Sequence, residues 1–225
     1  MNSVVISLGG SLVVPNEIDT NFVAAFKSFV ETHVKNGVHF VLIVGGGKTC
    51  RKYNSALEQV ANPTKDALDW LGIEATRLNA HFIREALAPY THNEIIIDPN
   101  SIPNTDKPII VGGGWKPGWS TDYDAIIAAG KIGAKKVINL SNIDFLYDKD
   151  PKKFSDAQKI EKISWADMRK LLPEEWDPGL NAPFDPIAAR EAEKLGIEVA
   201  IIGGSDLENL ENYLAGKAFK GSVIS

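Results

Sequence analysis

The sequence predicts an α/β protein built on a mostly parallel open sheet with helices on both faces. Three observations lead there. Short apolar runs rich in β-branched residues recur along the chain, stretches with helical spacing separate them, and three of the runs end directly in glycine.

The first run, Val4–Leu8, is too short for a helix and closes on Gly9-Gly10. Phe22–Val34 then places Phe22, Phe26, Phe29 and Val30 at helical spacing. Phe40–Val44 reads as a second strand and ends in Gly45-Gly46-Gly47. Leu78–Ala88 carries the next helical period, followed by strand-like runs at Ile95–Ile97 and Ile109–Val111, the latter ending in Gly112-Gly113-Gly114. Tyr123–Ile132 reads as a helix, Val137–Leu140 as a strand, Trp165–Leu172 and Ala188–Leu195 as helices, and Val199–Ile202 as a strand. With no internal repeat and no low-complexity segment, residues 1–225 are expected to form one domain.

Bulk composition narrows the function classes. At 44% hydrophobic and 24% charged residues, the chain has the make-up of a globular protein. No apolar run approaches the roughly 20 residues of a membrane helix, so no membrane partner is expected. Met1–Leu8 runs straight into strand pattern without a basic n-region, and the lone Cys50 cannot form an internal disulfide, which suggests a cytoplasmic location. The net charge of −5, without a dense basic block, argues against nucleic acid as a partner. A site for anions must therefore be assembled locally. Glycine corners at strand ends suit that purpose, because ligands of open α/β sheets bind at the carboxyl ends of strands, where free amides face a phosphate.

Gly47-Lys48-Thr49 looks like the tail of a Walker A loop, but Leu42 stands where that motif needs its first glycine. Gly45-Gly46-Gly47 does not complete a dinucleotide fingerprint, no Cys/His pair has zinc spacing, and no Gly-x-Ser-x-Gly elbow is present. His33, His39, His81 and His92 lack an evident nucleophile and are expected at the surface or at helix edges.

Seven segments in order carry a resemblance over nearly the whole chain. They are Val5–Leu12, Val44–Tyr53, Leu68–Ile73 with Thr76–Ala80, Gly113–Asp122, Ser141–Pro151, Ala182–Ala189 and Lys220–Ile224. Together they resemble the uridylate kinases of the amino acid kinase superfamily, most closely the archaeal type. The resemblance implies a carbamate kinase-like fold, with an acceptor-binding part over about residues 1–130 and an ATP-binding part over about 131–225. It implies transfer of the γ-phosphate of ATP to UMP, with Mg²⁺ arriving on the nucleotide, and a homohexamer with Leu68–Tyr90 at a dimer contact.

Roles for individual residues follow from the same resemblance. Gly9, Gly10 and Ser11 would offer amides to the transferred phosphoryl, Gly46 would lie beside UMP, and Gly47 with Arg51 beside ATP. Asp69 would accept hydrogen bonds from the ribose hydroxyls, with helix capping as the structural alternative. Trp115, Lys116, Pro117, Gly118, Trp119, Ser120 and Thr121 match the loop over the uridine and its phosphate. Asp122 matches the carboxylate that orders the catalytic groups. Ser141, Asn142, Tyr147 and Asp150 would form the ATP pocket, with Tyr147 against adenine, and Asp185 would open a helix near that nucleotide.

The chain also departs from the family pattern. Many superfamily kinases carry Lys on the first strand where this chain has Ser7, so Lys48 is expected to supply the missing ammonium, with Lys116 as its rival. Phe145 replaces a glycine after Asp144, Trp115, Lys116 and Trp119 replace smaller or His residues, and Pro173–Gly179 is unusual. Two other readings stay open at this level. One is a kinase of the same fold acting on carbamate, an amino acid carboxylate or isopentenyl phosphate; the other is a non-catalytic nucleotide or oxyanion storage relative.

Overall fold

The computed structural model describes residues 2–151, 153–172 and 184–225; the Pro173–Gly179 stretch lies outside them. Strand β1 (Asn2–Leu8) leads through the single turn α1 (Gly10–Val13) and α2 (Thr20–Lys35) to β2 (Val38–Val44). Helices α3 (Gly47–Val60) and α4 (Lys65–Ala86) cross to β3 (Ile109–Gly112), and α5 (Thr121–Ile132) crosses back to β4 (Lys136–Ser141). Short strands β5 (Leu146–Tyr147), β6 (Lys159–Ile160) and β7 (Lys162–Ile163) precede α6 (Trp165–Leu171) and α7 (Pro186–Leu195). Strand β8 (Glu198–Gly203), α8 (Leu207–Leu214) and β9 (Ser222–Ile224) finish the chain.

Among the described residues the main sheet has seven strands in the order β3-β2-β1-β4-β8-β9-β7. From β3 to β8 every pairing is parallel; β9 runs antiparallel to β8 and parallel to β7. The order reverses between β1 and β4, so the carboxyl ends of these two strands form the topological switch point where such sheets bind ligands.

Each strand sends alternate side chains to opposite faces. Val5, Val41, Ile43, Val137, Val199 and Ile201 pack with α5, α6 and α7 on one face. Ile6, Leu8, Phe40, Leu42, Val44, Ile138 and Leu140 pack with α1, α2, α4 and α8 on the other. The predicted doubly covered parallel sheet is therefore what forms. Starts are fixed by side-chain caps: Asp19 accepts from Phe22 N at 2.9 Å, Thr64 from Ala67 N at 3.2 Å and Ser120 from Tyr123 N at 3.2 Å. Gly133 and Gly196 end α5 and α7 in left-handed conformations.

Two predicted elements change. Ile95–Ile97 is not a strand: Ile96 makes one isolated bridge to Gly112, Ile97 is half exposed, and Asp98-Pro99 ends the run before a ladder can extend. The helix expected over Leu78–Ala88 begins at Lys65, thirteen residues earlier, and ends at Ala86, ahead of Pro89. Three helices fell outside the periodicity reading. One, α3, buries no residue and so has no apolar stripe on the sheet; α1 and α8 are only 4 and 8 residues long.

Candidate active site

Strand alternation builds the centre of the site. Ser7 follows Val5 by two residues and Asn139 follows Val137 by two, so both side chains face α5. The two residues are register partners across the β1–β4 pair. Both donate to one oxygen of Asp122 in the first turn of α5: Ser7 Oγ to Oδ1 at 2.8 Å and Asn139 Nδ2 to Oδ1 at 2.7 Å. The other oxygen, Oδ2, has no partner among the described residues. Burial pushes the Asp122 carboxyl up to about 6, opposed by the Ser7 and Asn139 hydrogen bonds and reinforced by the charge of Asp185. Asn139 carried no signal in the sequence beyond its place inside an apolar strand.

Glycine corners converge around this carboxylate. Gly9 N donates to Leu140 O at 2.7 Å and Gly45 N to Leu8 O at 2.9 Å, which ties the ends of β1, β2 and β4 together. A Cβ on Gly10 would collide with Gly47 N and Gly45 O, and Gly47 adopts φ +59°. Bare Cα atoms at these positions let the starts of α1 and α3 meet backbone to backbone. The sequence reading assigned the glycines to phosphate approach; the structure shows that Gly10 and Gly47 first make room for each other. Among the described residues, neither the Gly10 nor the Ser11 amide finds an acceptor, whereas the Lys48 amide is taken by Val14 O at 2.9 Å.

From behind, α4 grips these corners through residues that had been matched as a motif without assigned roles. Asn79 Nδ2 donates to Gly45 O at 2.9 Å and Gly46 O at 3.1 Å. Thr76 Oγ1 donates to Ile73 O and accepts from Gly114 N, both at 2.6 Å. Arg77 donates through Nε to Gly114 O at 3.1 Å and through Nη2 to Trp115 O at 2.9 Å. The spacing of residues 76, 77 and 79 thus lets one helix hold the ends of both β2 and β3.

Beside this corner lies a cavity of about 170 Å³ whose lining includes Cys50, Asp69, Gly72, Trp119, Ser120 and Thr121. A Cβ on Gly46 would meet Cys50 Cβ and lie 3.6 Å from Gly72 O, so Gly46 forms its edge toward the glycine corners. Asp69 sits in the second turn of α4, and Thr64 is the cap, which removes the capping alternative. Its Oδ2 accepts the Gly118 amide at 2.8 Å, and burial raises its carboxyl above the ordinary value while this bond opposes the rise. The loop is further ordered by aromatic stacking of Trp119 on Tyr123, with centroids 4.2 Å apart, and by Lys116 Nζ lying 3.9 Å from the Trp115 ring centre. Pro117 lies partly exposed in the same loop.

On the β4 side, Ser141 ends the strand and its carbonyl accepts from Gly204 N at 2.8 Å, while Asn142 is exposed. Tyr147 is half-buried on β5 opposite Lys159 and is therefore not a core residue. Asp150 lies in the turn after β5, its carbonyl accepting from Lys153 N and Phe154 N, each at 3.0 Å. Phe145 lies under Lys159, whose Nζ is 4.8 Å from the ring centre. Arg51 is exposed on α3, and Lys48 is half-buried at its start with no carboxylate partner among the described residues.

Two buried carboxyls escaped the sequence reading or were only partly read. Asp124 is fully buried; Oδ2 accepts from Trp115 N at 3.1 Å and Oδ1 has no partner among the described residues. Burial pushes it up to about 8, with Asp185, Asp122 and Asp98 adding to the rise against the Trp115 hydrogen bond. Asp185 caps α7, accepting from Ala188 N at 2.8 Å, and burial raises its carboxyl too.

The amino acid kinase family profile matches residues 2–203. The chain belongs to the amino acid kinase family. It is 32% identical over 227 residues to a uridylate kinase of Hyperthermus butylicus, covering 99% of this chain and 97% of that one. A uridylate kinase of Pyrococcus abyssi is 32% identical over 217 residues, 95% of this chain and 96% of that one. The crystal structure of uridylate kinase from Archaeoglobus fulgidus superposes with TM-score 0.83 at 30% identity, covering both chains completely. Among the described residues no group of three or more His, Cys, Asp or Glu is placed to hold a metal ion, and no helix is long and apolar enough to cross a membrane.

Proposed function

We propose that this chain transfers the γ-phosphate of ATP to UMP, giving UDP and ADP. The observation that carries the proposal is the adjacency of the Asp69–Trp119 cavity to the Ser7–Asp122–Asn139 corner, with Thr121 lining the first and Asp122 next to it in sequence. The relatives that match the chain end to end are uridylate kinases.

In this reading UMP enters the cavity with its ribose toward Asp69, whose second oxygen remains available after Gly118 takes Oδ2. Gly46 and the Trp115–Thr121 loop border the acceptor, and the Ser120 and Thr121 hydroxyls face its phosphate. The Gly10 and Ser11 amides lie where the transferred phosphoryl would pass, and Gly47, Arg51, Ser141, Asn142, Tyr147 and Asp150 surround ATP. Phosphoryl transfer requires two anions held in line and positive charge spread over the equatorial oxygens. Mg²⁺ entering with ATP would supply part of that charge. Asp122, fixed through Oδ1, presents Oδ2 to order the groups around the phosphates.

The proposal places the acceptor-binding part in about residues 1–130 and the ATP-binding part in about 131–225, in a cytoplasmic enzyme. A homohexamer is part of it. Trp70 and Leu78 are exposed on α4, 44% and 62% accessible, which favours a subunit contact on that helix. Coupled turnover with ATP and Mg²⁺ tests the assignment: UMP should be used in preference to CMP, AMP and GMP. Use of carbamate, an amino acid or isopentenyl phosphate about tenfold more efficiently than UMP would refute it, and so would the absence of any turnover.

A further inference from the structure

We infer that Arg77 is a positioning residue that sets the width of the acceptor cavity, by clamping the root of the Trp115–Thr121 loop to α4. The inference rests on the UMP reading of that cavity. It goes beyond that reading by naming a residue that acts on the acceptor without lining its site.

The third glycine corner, Gly112-Gly113-Gly114, is packed against α4. A Cβ on Gly113 would lie 3.0 Å from Arg77 N, Cα and Cγ, and one on Gly114 would lie 3.0 Å from Thr76 Oγ1. Bare Cα atoms let the helix come close enough for its side chains to reach the loop backbone. All four backbone polar groups of Gly114 and Trp115 are then taken by side chains. Thr76 Oγ1 accepts from Gly114 N and Asp124 Oδ2 from Trp115 N, while the Arg77 guanidinium donates to both carbonyls, at 3.1 and 2.9 Å. Glu74 Oε1 holds its remaining arm at 2.8 Å, which fixes the plane of the fork. Beyond this root Lys116 and Gly118 are exposed, and the next anchor is the Gly118 amide on Asp69 Oδ2 at 2.8 Å.

Both anchors belong to one rigid helix, where Asp69 and Arg77 stand about 12 Å apart along the axis. Between them α4 contributes Gly72, Ile73 and Thr76 to the cavity lining, and the anchored loop contributes Trp119, Ser120 and Thr121. Asp69 and Arg77 therefore set the gap between helix and loop from its two ends. Arg77 is not part of the lining, so its loss would shift the loop rather than delete a contact with the acceptor.

The test measures kcat and the KM values for UMP and ATP in the full chain, together with hydrogen exchange of the nucleotide-free loop amides. The proteins are wild type, Arg77→Ala, Arg77→Lys and Glu74→Gln. Arg77→Ala should raise the KM for UMP by about tenfold or more, leave the KM for ATP unchanged and keep most of kcat at saturating UMP. Its Gly118 amide should exchange about tenfold faster or more. Arg77→Lys, which offers a single ammonium in place of the fork, should fall between Arg77→Ala and wild type in both readouts, and it gives the reading if Arg77→Ala does not fold. Glu74→Gln should stay within about twofold of wild type, because its carboxylate is 62% accessible. Equal rises in the two KM values, or unchanged Gly118 exchange, would overturn the role of Arg77 while leaving the UMP assignment intact. A Glu74→Gln effect as large as that of Arg77→Ala would do the same, by tracing the effect to the surface ion pair. No turnover of UMP by wild type would instead overturn the acceptor assignment, and this inference with it.

Discussion

Replacing Asp124 by Asn should remove a large part of the pH dependence of folding stability. Asp124 is completely buried, and its carboxyl rises from 3.8 to about 8. The fold therefore holds a proton that the unfolded chain releases. Between about pH 4 and pH 8 the unfolded state binds fewer protons, so stability falls as pH rises through that window and levels off above it. With about 1.4 kcal/mol per unit, a displacement of roughly four units corresponds to on the order of 5 kcal/mol between the acidic and alkaline limits. Asparagine is neutral throughout, keeps an oxygen for the Trp115 amide, and nearly matches the shape of the protonated acid. Urea unfolding at pH 5 and pH 9 would measure it. The variant should be close to wild type at pH 5 and more stable by several kcal/mol at pH 9. Parallel stability profiles for the two proteins would mean that Asp124 is ionised in the fold or reached by water, and the reasoning would fail.

Asp69→Ala should raise the KM for UMP by roughly one to two decades with little change in kcat, as expected for loss of a charged hydrogen bond to the sugar; an unchanged KM would leave Asp69 only as the anchor of Gly118. Asp122→Asn should lower kcat more than UMP affinity, and the acid limb of kcat/KM near pH 6, set by ionisation of Asp122, should vanish in the variant. Lys48→Met should cut kcat by about a hundredfold or more while leaving ATP binding nearly intact. Loss of kcat in Lys116→Met with Lys48→Met at the wild-type rate would assign the charge to the acceptor loop.

The sequence displayed the five mutually parallel strands β3, β2, β1, β4 and β8, because buried parallel strands are continuous apolar runs and each ended in recognisable punctuation, whereas the short β5, β6, β7 and β9, two or three residues long, left no run to read. Ile95–Ile97 had the same composition and misled, since apolarity marks burial while a ladder also needs length and free backbone donors. Helix α3 was obscure for another reason: it packs on α4 rather than on the sheet, and its apolar residues Cys50, Tyr53, Leu57 and Val60 stay partly or largely exposed. At the site, the glycine corners and Asp69 were visible as motifs. Their support was not, because Thr76, Arg77 and Asn79 act through backbone carbonyls and amides thirty or more residues away, and such pairings leave no local pattern. Asn139 and Asp124 were hidden inside segments whose neighbours announced only a strand and a helix.

Charge balance explains why the strand-one position matters. A lysine at position 7 would point at the α5 face, where Asp122 now receives the Ser7 hydroxyl. An ammonium there would form an ion pair with Asp122 and hold its carboxyl low; a hydroxyl orients the same oxygen without neutralising it. Burial, with the charge of Asp185 added, instead displaces Asp122 upward. The corner thus carries more negative charge than a lysine-bearing one, just where a phosphoryl group must pass. Under the proposed function the offsetting cations would be Mg²⁺ on the nucleotide, Arg51, and Lys48, whose side chain is not committed to any carboxylate among the described residues. If such charge comes from the α3 side rather than from β1, substitutions at Lys48 and Arg51 should be felt together. The double variant should then fall short of the product of the two single losses in kcat if both act on one phosphoryl position, and match that product if each serves a different phosphate.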